Sequence, residues 1–146
     1  MTIGVRLMTT APSMIEKIFK AYDVRATYPN PLNEEAAWKV GHATGQFLQR
    51  ARQNVHADQR VKMENTVVVG RDMRPHSPDL AKALIDGLRS TGMNAVDVGM
   101  VDTSFIYFAV NHLDCVGGVM VTASHNPAHY NGFKISGPKA KPIGSA

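Results

Sequence analysis

Short apolar runs alternate along this chain with longer segments whose apolar residues recur every three or four positions. Apolar runs are typical of strands, and the longer spacing is typical of helices packed on a sheet. Strands are therefore predicted at residues 15–24, 66–69, 95–101, 118–122 and 131–136. Helices are predicted from an Asn33 cap to about residue 52, from 77 to just before Gly92, and at 103–112. Residues 54–65 are polar and predict a connector.

This alternation predicts a three-layer α/β/α sandwich built on a mixed, mostly parallel sheet. Residues 66–69 read TVVV, a short and mostly apolar run of the kind expected of a strand that is buried on both faces. The short strand at 131–136 is expected to be antiparallel to a neighbour. We assign residues 1–14 to a flexible leader, 15–137 to one domain, and 138–146 to the start of a linker to a second domain.

Residues at the predicted helix ends sharpen two of the boundaries. Asn33 precedes two glutamates, so we expect it to cap the first helix while the carboxylates favour the helix dipole. Ser77 is expected to cap the second helix, with Pro78 at the first helical position. Gly41 and Gly45 weaken the first helix intrinsically, but their spacing can allow close approach to the sheet.

Composition narrows the class of protein. Of the 146 residues, 44% are apolar and 19% are charged, which is ordinary for a globular domain. The net charge of +4 favours anionic partners, but the basic residues are scattered, which argues against nucleic acid and leaves phosphorylated metabolites open. No stretch predicts a signal peptide or a membrane span, so the cytoplasm is the expected compartment. Cys115 is the single cysteine and is expected to be a small buried residue.

Chemistry is suggested most strongly where the strand at 118–122 ends. An apolar segment gives way to Ser124 and then to a polar turn that is closed by Pro127. A strand that delivers a hydroxyl to an ordered turn can present a nucleophile or a phosphate acceptor. The alternative is a strand that ends in ordinary turn-forming residues, with Ser124 capping the next segment.

The same segment belongs to a longer pattern. Residues 118–127 read GVMVTASHNP, and 130–134 read YNGFK. Three motifs precede them: IFKAYDVR at 18–25, VGRDMR at 69–74 before Ser77, and DVGMV at 97–101 before Thr103. In this order they resemble the α-D-phosphohexomutase family, closest to the bacterial phosphomannomutase/phosphoglucomutase enzymes. The resemblance covers nearly all of the chain and is most specific around the serine.

The resemblance implies a four-domain enzyme of which this chain is the first domain. Such enzymes interconvert hexose 6-phosphates and hexose 1-phosphates, here of mannose or glucose, through a phosphoserine and a hexose 1,6-bisphosphate. The implied partners are the phosphorylated hexose and the remaining domains, and the isolated domain is expected to be inactive. The implied metal is Mg²⁺, held by the phosphate on Ser124 and by aspartates of the second domain. Alternatives are a phosphoglucosamine mutase domain and a non-catalytic phosphate-binding α/β module.

The resemblance also assigns roles to single residues. Ser124 is the implied phosphoacceptor. Lys134 is the implied general acid/base or charge-stabilising residue that binds phosphate near it, although a lysine is by default a solvated residue. Arg25 is expected to bind phosphate, since its guanidinium offers fork-like donors; the alternative is a surface salt bridge to Asp23. Tyr22 is expected beside Arg25 at the substrate.

Two residues that come directly after the serine are placed at the same site. His125 is expected to act in the active site, whereas its spacing alone indicates a turn histidine. Asn126 is grouped with the phosphate-binding residues, although asparagine also suits turn geometry.

The family usually has glycine after the arginine that Arg25 matches, and this chain has Ala26, which resists a positive φ.

One further charged group has two interpretations. Arg71, Asp72 and Arg74 either bind an anion or form an internal ion-pair network that anchors the loop ahead of Ser77, and we favour the network. The histidines at 42, 56, 76, 112 and 129 lack cysteines or acids at ligand spacing, so no zinc site is expected.

Overall fold

The computed structural model describes residues 16–20 and 23–143, so the predictions for the leader and for Tyr22 lie outside the described residues. The strands are β1 (Val24–Thr27), β2 (Glu64–Arg71), β3 (Asn94–Met100), β4 (Cys115–Val121) and β5 (Tyr130–Ser136). The helices are α1 (Glu34–Gln53), α2 (Ala57–Lys62), α3 (Ser77–Arg89) and α4 (Thr103–His112). A 3-10 turn at Pro138–Ala140 comes after β5.

The described strands form one mixed sheet in the order β1-β5-β4-β2-β3. Strands β2, β3 and β4 are parallel, whereas β5 is antiparallel to both β4 and β1. Val67 and Val69 pack against α1 and α3 on one face, and Val68 packs against α4 on the other. Alternate residues of β2 therefore enter two cores. The predicted three-layer α/β/α sandwich is confirmed, including the antiparallel last strand.

Strand β4 lies inside the sheet and is buried along its whole length. It begins with Cys115, where burial, together with the charges of Glu64 and Asp114, raises the pKa of the thiol. It ends at Val121, so the chain emerges at the carboxyl edge of the parallel strands. In open α/β sheets this edge is where ligands bind.

Two predicted boundaries near the sheet are wrong. Within the predicted strand at 15–24, the described residues before Val24 form no strand: Phe19 makes a single antiparallel bridge to Val24, and β1 begins only at Val24. Apolar residues on both sides of this reversal look like one continuous run in the sequence. The predicted connector at 54–65 contains α2, which buries no residue, and it also contains the start of β2. A helix without a buried face leaves no apolar periodicity to detect.

The helix-end predictions have mixed outcomes. Asn33 caps α1 as predicted, since its side chain accepts a hydrogen bond of 3.0 Å from the backbone N–H of Ala36. Ser77 is not the cap of α3; it is the first helical residue, and its hydroxyl donates to a carboxylate instead. Gly41 does allow a close approach, but to α3 rather than to the sheet, because a Cβ there would overlap the carbonyl oxygen of Leu84.

The described residues after β5 fold back onto the domain. Pro142 bridges Ser136, and the backbone N–H of Ile143 donates to the carbonyl of Ile135 at 3.0 Å. Ile143 also packs against the core on the side of α1 and α3. The point at which the domain gives way to a linker stays a prediction. Among the described residues, no helix combines the length and apolar character that crossing a membrane requires.

Candidate functional site

Residues 122–130, which comprise the connection from β4 to β5 and the first residue of β5, form a segment that we name the serine loop. Ser124 is exposed and has a φ of +54°, a left-handed conformation that residues other than glycine seldom adopt. Its backbone N–H donates to the hydroxyl of Thr122 at 3.0 Å, whereas its own hydroxyl makes no hydrogen bond to a described residue. The loop therefore constrains the serine backbone and leaves the Ser124 oxygen available.

Arg74 is hydrogen-bonded to the serine loop. Its side chain donates to four carbonyl oxygens of the loop and to the carboxylate of Asp72. The residue is only 8% exposed, although it lies in the connection between β2 and α3. The predicted ion-pair network is confirmed for Asp72 and Arg74, which pair at 3.1 Å, whereas Arg71 turns to Asp97 at 3.6 Å.

Asp72 connects its ion pair with Arg74 to the start of α3 and to the end of β4. It accepts hydrogen bonds of 2.7 Å from the hydroxyls of Ser77 and Thr122, and one of 3.1 Å from the backbone N–H of Arg74. Burial acts to raise the pKa of this carboxyl, but these hydrogen bonds and the charge of Arg74 together hold the pKa below its ordinary value. Asp72 is therefore a carboxylate that is stabilised in its charged form.

A second set of contacts ties the far end of the serine loop to α3. Asn131 is fully buried, and its amide donates to the Nδ1 atom of His76 and to the Ser77 hydroxyl, each at 2.8 Å. The Nε2 atom of His76 lies 3.1 Å from the carbonyl of Ala128, and its ring stacks on Tyr28. Sequence reasoning weighs His76 only as a metal ligand and misses its role as a loop anchor.

Arg25 and Lys134 share one cleft. The cleft has a volume of about 250 Å³ and is lined by Asp23, Arg25, Tyr107, Lys134, Ile135 and Pro142. Arg25 forms the predicted alternative salt bridge to Asp23, yet its Nε atom is buried and no described residue accepts its hydrogen bond. A buried donor without an acceptor is costly, so it marks a position where a ligand oxygen would be stabilising.

Strand register relates this cleft to the serine loop. Arg25 of β1 lies opposite Gly132 of β5, and the carbonyl of Gly132 accepts a hydrogen bond of 2.9 Å from the backbone N–H of Thr122. Arg25, Gly132 and Thr122 therefore lie in one row across three neighbouring segments. Thr122 is two residues before Ser124 in the sequence. Lys134 is two pairs further along β5, opposite Met120.

The remaining predicted residues occupy the same end of the molecule. His125 is exposed beside Ser124. The side-chain amide of Asn126 donates to the carbonyl of Ala123 at 2.9 Å, so this side chain stabilises the turn in the structure. Ala26 lies within β1, outside the residues with positive φ. The position therefore has no need of glycine for its backbone conformation.

The acidic and histidine side chains of this site do not gather around one point. Within residues 16–20 and 23–143, no group of three or more histidine, cysteine or acidic residues could hold a metal ion. Asp23 and Asp72 are each committed to an arginine.

Comparison with known proteins assigns this domain to a family. The model of the phosphoglucomutase/phosphomannomutase α/β/α domain I matches residues 16–146. The chain belongs to the phosphoglucomutase/phosphomannomutase family, of which it is domain I. The resemblance inferred from the motifs is thereby confirmed.

Individual relatives agree with this assignment. The chain is 43% identical over 125 residues to a phosphomannomutase of Escherichia coli K12, covering 86% of this chain and 24% of that protein. It is 42% identical over 127 residues to a protein of Xanthomonas campestris described as phosphohexose mutases, covering 87% of this chain and 25% of that one. A phosphoglucomutase/phosphomannomutase family structure from Burkholderia thailandensis superposes with a TM-score of 0.74 at 36% identity, covering 89% and 28%. The chain thus spans about a quarter of the length of these relatives.

Proposed function

We propose that this chain is the phosphoryl-carrying domain of a phosphohexomutase that interconverts hexose 6-phosphate and hexose 1-phosphate of mannose or glucose. The observation that carries the proposal is the presentation of Ser124: an exposed serine in a constrained loop at the carboxyl edge of the sheet. Arg25 and Lys134 contribute two cations to the adjoining cleft. Because the chain spans a quarter of its relatives, we propose that the remaining domains complete the site and that the isolated chain is inactive.

The proposed reaction uses Ser124 as a phosphoryl carrier. In the first half, the bond between Ser124 Oγ and phosphorus breaks while a bond forms from phosphorus to a hydroxyl of the hexose monophosphate, whose proton is released to a base. The freed Ser124 Oγ takes up a proton. In the second half, the bisphosphate has turned round: the bond between its other phosphorus and the sugar oxygen breaks while that phosphorus bonds to Ser124 Oγ. The serine proton is released to the base, and the sugar oxygen takes up a proton. Positioning and neutralisation of charge dominate the catalysis of such transfers.

Lys134 and Arg25 are assigned complementary roles in this scheme. Lys134 is half-buried in the cleft. As a neutral amine it can take the proton of the reacting hydroxyl, and as an ammonium group it can return that proton to the leaving oxygen and neutralise the phosphoryl oxygens. The buried Nε atom of Arg25 offers a donor to a phosphate oxygen, while Asp23 holds the guanidinium in place. His125 as a catalytic residue, and Tyr22 and Asn126 as substrate-binding residues, stay predictions.

The residues present are compatible with a metal that is shared with another domain. Mg²⁺ prefers several oxygen ligands in octahedral geometry, and the described residues supply no carboxylate cluster. A phosphate on Ser124 would contribute oxygen ligands from this domain, and the remaining ligands would come from outside it. When bound there, Mg²⁺ would neutralise charge on the transferring phosphoryl group.

The proposal is tested by removing the acceptor oxygen in the full-length polypeptide. Ser124→Ala is expected to abolish turnover of mannose, glucose and glucosamine phosphates while leaving the melting temperature unchanged. Ser90→Ala is the matched control, because Ser90 is an exposed serine at the end of α3, remote from the serine loop. If Ser124→Ala is as active as Ser90→Ala, Ser124 is ruled out as the carrier. If the unmodified enzyme turns over glucosamine phosphate but neither mannose nor glucose phosphate, a phosphoglucosamine mutase is favoured.

A further inference from the structure

All five N–H donors of the Arg74 guanidinium are engaged. Nη1 donates to the carbonyls of Pro127 at 2.7 Å and Tyr130 at 3.1 Å. Nη2 donates to the carbonyls of Ser124 at 3.0 Å and Asn126 at 2.7 Å. Nε donates to Asp72 at 3.1 Å. An arginine side chain has five such donors and no acceptor. Its hydrogen-bonding capacity is therefore used up by one carboxylate and one loop.

We infer that Arg74 is a positioning residue for phosphoryl transfer, which orients the serine loop so that Ser124 Oγ lies where the phosphoryl group is exchanged. The inference rests on the proposed function of Ser124. A saturated and buried guanidinium has no donor left for a substrate phosphate, so Arg74 acts through the loop. This separates Arg74 from Arg25, whose Nε atom is buried without an acceptor among the described residues.

The contacts explain how one side chain can set the conformation of a whole turn. Four loop carbonyls point at the same cation, which fixes the peptide planes at Ser124, Asn126, Pro127 and Tyr130. Ser124 is one of these residues, and its positive φ would otherwise relax toward a common region of backbone space.

There is also an electrostatic consequence. A phosphoserine carries a charge of about −1.5 to −2, and carbonyl oxygens that faced it would repel it. Four carbonyl oxygens of the serine loop instead point toward the Arg74 guanidinium, which neutralises their partial negative charge. The same loop can then carry Ser124 with and without its phosphate, as a carrier must.

Lysine cannot replace arginine at position 74, because the two side chains differ in the number and arrangement of their donors. A lysine ammonium keeps the charge but has only three donors, which radiate from one atom rather than from a planar fork. Arg74→Lys can therefore keep the pairing with Asp72 and still leave loop carbonyls without a donor. We expect the serine loop to loosen in this variant while the rest of the sheet is retained.

The experiment compares Arg74→Lys with Arg52→Lys in the full-length polypeptide. Arg52 is a matched control, since its Nε and Nη2 atoms donate to one backbone carbonyl, that of Met63, at 3.2 and 3.1 Å, far from the serine loop. Misplacing reacting groups by about 1 Å costs on the order of 10²-fold in rate. We expect a loss of that order in kcat for Arg74→Lys, with KM little changed, and we expect neither for Arg52→Lys.

A spectroscopic readout separates positioning from general stability. The ¹³Cα and ¹³Cβ chemical shifts of Ser124 report its φ, and they should move toward ordinary values in Arg74→Lys and stay unchanged in Arg52→Lys. An Arg74→Lys enzyme with the kcat and the Ser124 shifts of the control would overturn the inference. If that result came with an inactive Ser124→Ala enzyme, the proposed function would stand and only the role of Arg74 would fail.

Wild-type protein provides the test if Arg74→Lys does not fold. The guanidinium ¹H–¹⁵N signals of Arg74 should be slowly exchanging and should keep their shifts when Ser124 is phosphorylated and when glucose 6-phosphate is added. Movement of these signals on addition of the sugar phosphate, as expected for an arginine that leaves the loop to bind it, would overturn the inference.

Discussion

The hydroxyl of Thr122 accepts a hydrogen bond of 3.0 Å from the backbone N–H of Ser124. The same hydroxyl donates to the carboxylate of Asp72 at 2.7 Å. One oxygen thus connects the backbone of the proposed phosphoryl carrier to a charged network that lies some fifty residues earlier in the chain.

Thr122→Val should break this connection with little change in side-chain shape. It removes an acceptor from the Ser124 N–H and a donor from Asp72, and an unsatisfied buried partner costs about 1–3 kcal/mol. We expect a loss of that size in the free energy of unfolding in urea. Thr122→Ser keeps the hydroxyl and serves as the control. Equal stability of the valine and serine variants would show that the hydroxyl contributes nothing.

The network should also make stability depend on pH in a predictable direction. The folded state lowers the pKa of Asp72 below its ordinary value of 3.8. A lowered pKa contributes stability that is fully present above the ordinary value and is lost as the pH falls through the folded-state pKa. The difference in unfolding free energy between wild type and Asp72→Asn should therefore be largest near neutral pH and shrink below about pH 4.

Asp86→Asn is the control for this titration. Asp86 pairs with Lys82 on the exposed face of α3 at 2.8 Å, and exposed pairs contribute little to stability. Its substitution should leave the unfolding free energy nearly unchanged at every pH. A difference for Asp72→Asn that stays constant from pH 7 to pH 3 would contradict the assigned role of the Asp72 carboxylate.

Much of the fold could be predicted because burial leaves a pattern in the sequence. Helix α4 and the alternation of helices with strands can be read from apolar periodicity and from the run of valines in β2. Helix α2 could not be predicted in this way, since it buries nothing. The reversal between Phe19 and Val24 was also missed, because apolar residues on either side of a turn look like one strand.

The site was predictable only in part, for a different physical reason. Ser124 stands out because a buried strand ends in a hydroxyl and a turn. The hydrogen bonds from Arg74 to the serine loop leave no pattern in the sequence, because their acceptors are backbone carbonyls, which every residue type provides. His76 shows the same limitation: its contact with the carbonyl of Ala128 depends on a tertiary approach between segments that are about fifty residues apart.

Lys134→Met tests the proposed proton-transfer role in the full-length polypeptide. Methionine keeps much of the apolar stem and removes the ammonium group, so the melting temperature should change little. Loss of general acid/base help costs on the order of 10²-fold or more in kcat/KM. Lys82→Met, at an exposed position of α3, should leave turnover unchanged. Near-normal kcat/KM in a folded Lys134→Met enzyme would return Lys134 to the role of a solvated lysine.

Gly41→Ala tests the close packing of α1 on α3. Alanine normally stabilises a helix by up to about 1 kcal/mol relative to glycine. At position 41 the added Cβ would overlap the backbone of Leu84, so we expect net destabilisation of about 1–3 kcal/mol. Ala43→Gly, at an exposed position of the same helix, should show the normal order, with alanine the more stable residue. A Gly41→Ala variant that is more stable than wild type would contradict this packing.

The most direct test of the central claim is the transfer of phosphate to Ser124. The full-length polypeptide is dephosphorylated, incubated with glucose 1,6-bisphosphate, and digested, and the modified residue is located by fragmentation in a mass spectrometer. We predict phosphate on Ser124, and we predict its removal when excess glucose 6-phosphate or mannose 6-phosphate is added. An active enzyme in which Ser124 stays unmodified, or in which the phosphate lies on another residue, would contradict the account.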